Sequence, residues 1–256
     1  VLTVGIDLAA EAARSAMAVI RWEKTVAVIE QLALGATDRM LVEASCPADK
    51  VGIDCPLGWP VAFVDFVQRH ARGDIRPGEG RDIEARLPLA YRRTDLAVVH
   101  AGGPIPLSVS SDRIGRAAMR AAGLLSVLAK PGEPVDRSGR GQVVEVYPAA
   151  ALRRWGYQSR RYKGRPNAAT RRILVDRLLD ATSSWLVISS EHRAACARSD
   201  DVFDAVVAAL NARAATLPGA VSVPGPDELS EAIIEGWIAV PVGELADLDP
   251  RVGSKT

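Results

Sequence analysis

The chain has 256 residues, 48% hydrophobic and 25% charged, and its 32 Lys plus Arg against 31 Asp plus Glu leave a net charge of +1. Such a composition describes an ordered globular protein of one generous domain or two small ones and excludes a disordered chain. Near neutrality excludes a globally basic nucleic-acid binder and leaves local basic patches open.

No apolar run reaches the roughly 18 residues that a membrane-spanning helix needs, and the amino terminus enters a strand-like pattern without a charged leader. These features predict a cytoplasmic protein with no membrane partner. Cys46, Cys55 and Cys196 are odd in number and far apart, and only His70, His100 and His192 could join them. Neither a disulfide framework nor a zinc site follows, so buried free thiols are expected.

In chain order, Val1–Leu8, Ala16–Trp22 and Thr25–Leu34 read as three strands whose short links imply an antiparallel meander. Thr37 is placed to cap a helix over Asp38–Ala48, and Lys50–Cys55 is a buried strand stopped by Pro56. Residues 59–140 read as a mostly helical insertion or lid over the sheet, with helices at Val61–Arg72 and Arg113–Leu128 between Gly- and Pro-rich stretches. Gln142–Tyr147 is a further apolar strand, Ala149–Trp155 and Asn167–Ser183 are helices, and Trp185–Ser190 could form another strand. Ser199 caps a helix over Asp200–Ala215, followed by a helix at Leu229–Ile234, a strand-like Gly236–Val240 and a frayed Asp249–Thr256.

Acidic side chains end three of the apolar runs: Asp7 after Val4-Gly5-Ile6, Asp54 after Val51-Gly52-Ile53, and Glu145 within Val143–Tyr147. Side chains alternate along a strand, so Asp7 shares a face with Gly5, and Asp54 shares one with Gly52. A glycine there lets something approach the sheet closely, and Asp54 falls at a carboxyl end, where open α/β sheets bind ligands. The bland alternative is that each acid caps a turn, and Glu145 could instead face a neighbouring arginine.

The helix after Ser199 sharpens the pattern. Val202, Phe203, Val206, Val207 and Leu210 form one broad face, while Asp201, Asp204, Ala205 and Ala208 form a second that is small enough to pack against the sheet. Asp200 and Asp201 suit the helix dipole, but Asp204 lies a turn further in, where that account no longer suffices. Carboxylates that converge in apolar surroundings need a cation. Oxygen ligands alone suit Mg2+ or Mn2+, and two such ions roughly 4 Å apart serve phosphodiester hydrolysis.

The strand ending in Gly-x-Asp, the meander, the second acid-ended strand and the late Asp-x-x-Asp-Ala helix resemble the RNase H-like superfamily, especially its Holliday-junction-resolvase branch. Ile53–Gly58, Arg92–Asp95, Glu145–Ala149, Tyr162–Arg165, Asp201–Ala205 and Glu235–Ile238 are similar to the motif series of the predicted RNase H-like nuclease family, domain of unknown function 429. The resemblance spans nearly the whole chain. It implies one RNase H-like domain over residues 1–256, an α/β fold whose mixed sheet joins the meander to parallel strands with flanking helices. It also implies Asp7, Asp54 and the Asp201/Asp204 pair at the superfamily's metal positions, with Glu145 as an acid peculiar to this branch.

From Arg153 to Arg172 eight basic residues occur without an acid, interleaved with Trp155, Tyr157 and Tyr162. Cations and stacking rings suit single-stranded or branched nucleic acid, DNA or RNA, although a solvated helix face would read the same way. Tyr162, Lys163 and Arg165 are therefore candidate substrate contacts. In Arg92, Arg93, Thr94 and Asp95 an Arg–Asp pair with a hydroxyl could grip a phosphate or lock a loop, and His100 could carry a proton, though a lone histidine more often has a structural place.

The expected activity is metal-dependent nuclease chemistry, with Asp7, Asp54 and Asp204 as Mg2+ or Mn2+ ligands and Asp201 and Glu145 as ligands or water-positioning groups. A resolvase-like role would favour a homodimer. Two alternatives stand beside it: an actin-like nucleotide-binding phosphotransferase, which the glycine-free Leu8–Arg14 connection disfavours, and a non-catalytic nucleic-acid-binding module.

Overall fold

The computed structural model describes residues 1–252. Strands β1 (Leu2–Asp7), β2 (Ala16–Trp22) and β3 (Ala27–Leu34) form the expected antiparallel meander. Strand β4 (Lys50–Asp54) runs parallel to β1, β5 (Val143–Glu145) parallel to β4, and β6 (Leu186–Val187) parallel to β3. The resulting six-stranded mixed sheet has the order β5-β4-β1-β2-β3-β6 and agrees with the RNase H-like expectation.

One face of the sheet is covered by α1 (Asp38–Ser45), capped by the Thr37 hydroxyl, and by α5 (Gly115–Leu128). Val4, Ile6, Val51 and Ile53 point to this side and pack with Leu41, Ala121 and Leu124. Between these helices lie α2 (Val61–Arg72), α3 (Ile83–Ala90) and α4 (Arg93–His100). The insertion expected over residues 59–140 is therefore not a uniform lid. Helix α5 is a core layer, whereas α2 and α3 contain no buried residue.

On the opposite face lie α6 (Pro148–Arg154), α7 (Ala168–Thr182), α8 (Ser190–Arg198) and α9 (Asp200–Ala214), and α10 (Leu229–Glu235) follows near the carboxyl end. Helix α9 is central and buried from Val202 to Ala212. Its large residues, Phe203, Val206, Val207 and Leu210, join Ile20, Leu174 and Leu178 in the second core. Each fully buried side chain of this size contributes about 1.5–3 kcal/mol.

Two glycines let α9 sit directly on the sheet. A Cβ on Gly5 would lie 2.1 Å from both the Ala205 carbonyl oxygen and the Ala209 nitrogen, and one on Gly52 would lie 2.7 Å from the Ala208 carbonyl oxygen. The bare strand residues before Asp7 and Asp54 thus set the depth at which the helix docks. Asp204, on the same helix, is carried down to the level of those acids.

Several expectations need correction. Gly236–Val240 is not a strand, because the Trp237 amide donates to the Arg137 carbonyl and the Ile238 amide to the Thr94 hydroxyl, leaving only isolated bridges at Ile238 and Pro241. The possible strand at Trp185–Ser190 shrinks to β6, and its polar continuation becomes α8, capped by the Ser189 hydroxyl. Of the cysteines, Cys55 and Cys196 are buried free thiols, but Cys46 is exposed. The last four residues of the expected frayed tail lie outside the described residues. No described helix is long and apolar enough to cross a membrane.

Candidate active site

The parallel pairing of β1 with β4 places Asp7 directly beside Asp54 at the carboxyl ends of both strands, on the face that α9 covers. Both line a cavity of about 460 Å³. Neither carboxylate has a hydrogen-bond or ion-pair partner among the described residues, although two acids in register on neighbouring strands repel one another. Burial pushes Asp7 well above the ordinary carboxyl value of 3.8, repulsion from Asp54 and Asp204 adds to this, and Lys163 opposes it. Burial likewise pushes Asp54 up to about 7, with Lys163 opposing and Asp204 adding.

Asp204 is fully buried at the edge of this pair. The Tyr162 hydroxyl donates to its Oδ1 at 2.8 Å, and the Lys163 Nζ lies 2.5 Å from its Oδ2. Burial raises the Asp204 pKa, with Lys163 and Tyr162 opposing. Burial also works against the Lys163 charge, but Asp204, Asp54 and Asp7 outweigh it and hold the ammonium well above its ordinary 10.5. Asp7, Asp54 and Asp204 are therefore one electrostatic cluster, and the Lys163 ammonium opposes the burial of all three charges.

The other two acids expected here each carry an arginine partner, although Glu145 still lines the same cavity. In the β4–β5 register Glu145 pairs with Ile53, so it falls on the opposite side from Asp54, whose counterpart position is Val146. Arg92 takes both oxygens of Glu145, each at 2.7 Å, and the Leu57 amide donates to Oε2. Glu145 is thus paired with an arginine, the alternative its sequence context left open. Asp201 is held by Arg14 at 3.3 and 3.4 Å, as a first-turn acid of α9.

The expected substrate contacts divide in the same way. Asp95 accepts from the Arg92 guanidinium and backbone, Thr94 accepts from the Ile238 amide, and Arg93 pairs with Glu231. This segment locks α4 onto β5 and α10, and Arg93, Thr94 and Asp95 do not line the cavity. Tyr162 is only 1% exposed and lies edge-on to Phe203, so it orients Asp204 and offers no stacking face. Trp155 is likewise core, and Arg171 is buried, donating to the carbonyls of Tyr162, Gly164, Ala197 and Arg198. Arg165 is exposed outside the cavity, and neither His70 nor His100 lines it.

Besides Arg92, which is paired with Asp95 and Glu145, the cations at the cavity wall are Lys163, Arg113, Arg160 and Arg161, and the last three have no carboxylate partner among the described residues. Arg113 and Arg161 escaped attention as individual contacts. Arg161 belongs to the acid-free basic segment, whereas Arg113 follows Asp112 directly and carries no such signal.

The donor set suits a hard divalent cation. Asp7 and Asp54 offer partnerless carboxylate oxygens, and Mg2+ needs only one or two carboxylates plus waters and substrate phosphate. Among the described residues, however, no three His, Cys, Asp or Glu side chains form a ready-made cluster. The third arm, Asp204, is turned to Lys163.

A family model described as "Protein of unknown function (DUF429)" matches residues 5–229. No curated protein and no solved structure matches the chain.

Proposed function

From the premise that the chain belongs to the DUF429 family, we propose that it is a metal-dependent nuclease that hydrolyses phosphodiester bonds in the cavity above Asp7 and Asp54. The observation that carries this reading is the pair of partnerless carboxylates, adjacent in register and facing a cavity whose wall holds three unpaired arginines. Acid below and cation above is the arrangement that a phosphodiester and a divalent ion jointly neutralise.

Asp7 and Asp54 would hold Mg2+ or Mn2+, with Asp204 as the further ligand, and the ion would supply charge to the phosphate oxygens and a more acidic water. The chain's own groups do the remainder. Arg113, Arg160 and Arg161 bind the phosphate backbone, Tyr162 fixes the orientation of Asp204, and the buried floor limits competing water. Arg92 and Glu145 brace the floor from beneath, through the Leu57 amide just beyond Asp54.

The connection between β1 and β2 supports this reading over nucleotide phosphotransfer. It contains a short helical turn at Ala12–Arg14 and no glycine, so it offers no flexible backbone cradle for a triphosphate.

Incubation with end-labelled single-stranded, branched and RNA–DNA hybrid substrates in Mg2+ and in Mn2+ tests the proposal. Scission that requires the metal and is lost in Asp54→Asn is expected. Nucleotide turnover without scission, or salt-sensitive retention alone, would replace it with one of the two alternatives.

A further inference from the structure

Lys163 is anchored by its backbone, while its side chain is half exposed and held only at the ammonium. Arg171 donates to the carbonyls on either side, Tyr162 at 2.8 Å and Gly164 at 3.1 Å, and Asn167 donates to the Lys163 carbonyl at 2.7 Å. The Gly164 amide in turn donates to Asp200 at 3.2 Å, which ties the segment to the first turn of α9. Gly164 itself adopts φ +81, a left-handed conformation that a residue with a Cβ rarely takes. These contacts fix where the lysine stem begins. The side chain is 52% exposed, yet its ammonium reaches inward to within 2.5 Å of Asp204, which is completely buried.

An ammonium at that point and a divalent ion on the same carboxylate exclude one another by charge. A four-carbon stem with an open route to solvent can withdraw without any backbone change, whereas Asp204 has no such freedom because Tyr162 and the packed helix hold it. We propose that Lys163 sets the divalent-ion affinity of this site: its ammonium is the occupant that the incoming ion displaces from Asp204, and it then turns to the cavity that receives the phosphate. This rests on the metal-dependent reading and adds to it a residue that competes with the metal.

The test is calorimetric titration of the full chain with Mn2+ alone, at fixed pH, for the native protein and for Lys163→Met, Lys163→Gln and Lys163→Arg. Removing the charge is expected to tighten Mn2+ binding on the order of tenfold in both the Met and the Gln variants, the consequence of losing a competitor worth about 1.4 kcal/mol. The Arg variant, which keeps the charge, is expected to stay near the native affinity, a rescue that a merely structural lysine would not show. Gln retains a hydrogen-bond donor for Asp204, so its result stands even where the Met variant does not fold. Equal or weaker binding in the uncharged variants overturns this proposal alone. No Mn2+ uptake by any of the four proteins overturns it together with the metal-dependent reading.

Discussion

Replacing Asp54 by asparagine is expected to remove activity and to raise stability at neutral pH. The Asp54 carboxyl titrates at about 7 in the fold against an ordinary value of 3.8. Its folded-state pKa is raised, so its contribution to stability is fully present below the ordinary value. That contribution is lost progressively as pH climbs from about 4 to about 7, because the unfolded chain ionises first. Complete loss corresponds to about 4 kcal/mol, and contact with cavity water reduces it to roughly 2 kcal/mol. Asparagine keeps the shape and carries no such cost. For a chain of this length the gain corresponds to a rise in melting temperature of roughly 4–8 °C at pH 8, shrinking towards zero at pH 4. Thermal unfolding of both proteins across that range without divalent ions measures it. A mutant whose advantage does not change with pH, or that is less stable at pH 8, would refute the view that Asp54 is strained by its own charge.

Gly5→Ala would drive a methyl group into the α9 backbone, and the cost is expected to reach roughly 3 kcal/mol, at the upper end of overpacking effects; chemical denaturation reads it. Arg92→Met would leave Glu145 and Asp95 buried without their cation, and a loss of about 3–5 kcal/mol in the same assay is expected. Arg160→Ala combined with Arg161→Ala is expected to leave melting unchanged and weaken binding of a single-stranded oligonucleotide. The salt slope of that binding would fall by roughly 0.7 for each phosphate contact removed, which a fluorescence titration at several salt concentrations resolves.

The meander and its acid-ended strands were legible because alternation and short links leave few other folds for such runs. The sequence also predicts the docking face of α9, since Gly5, Gly52, Ala205 and Ala208 are the small residues that a close helix–sheet approach requires. The role of Glu145 depended on register. A shift of one position relative to Asp54 sends it to the other side of the sheet, and nothing local in Val143–Tyr147 announces that shift. The Arg92–Asp95 pair was legible as a loop lock, but its link to Glu145 was not, because only the fold brings Glu145 to Arg92 across 53 residues of chain separation. The aromatic residues of the basic segment misled because Trp155 and Tyr162 serve the core behind α9, which composition alone does not distinguish from a stacking surface. Helices α3 and α8 lack a clean apolar stripe, so periodicity gave no signal for them.

The central claim is that Asp7, Asp54 and Asp204 form one site for a divalent ion. A crystal soaked in Mn2+ and measured for anomalous scattering tests it most directly. A peak is expected within coordinating distance of Asp7 and Asp54, with the Lys163 ammonium withdrawn from Asp204. A saturating soak that leaves the cavity floor without a peak and Lys163 in place on Asp204 would contradict it.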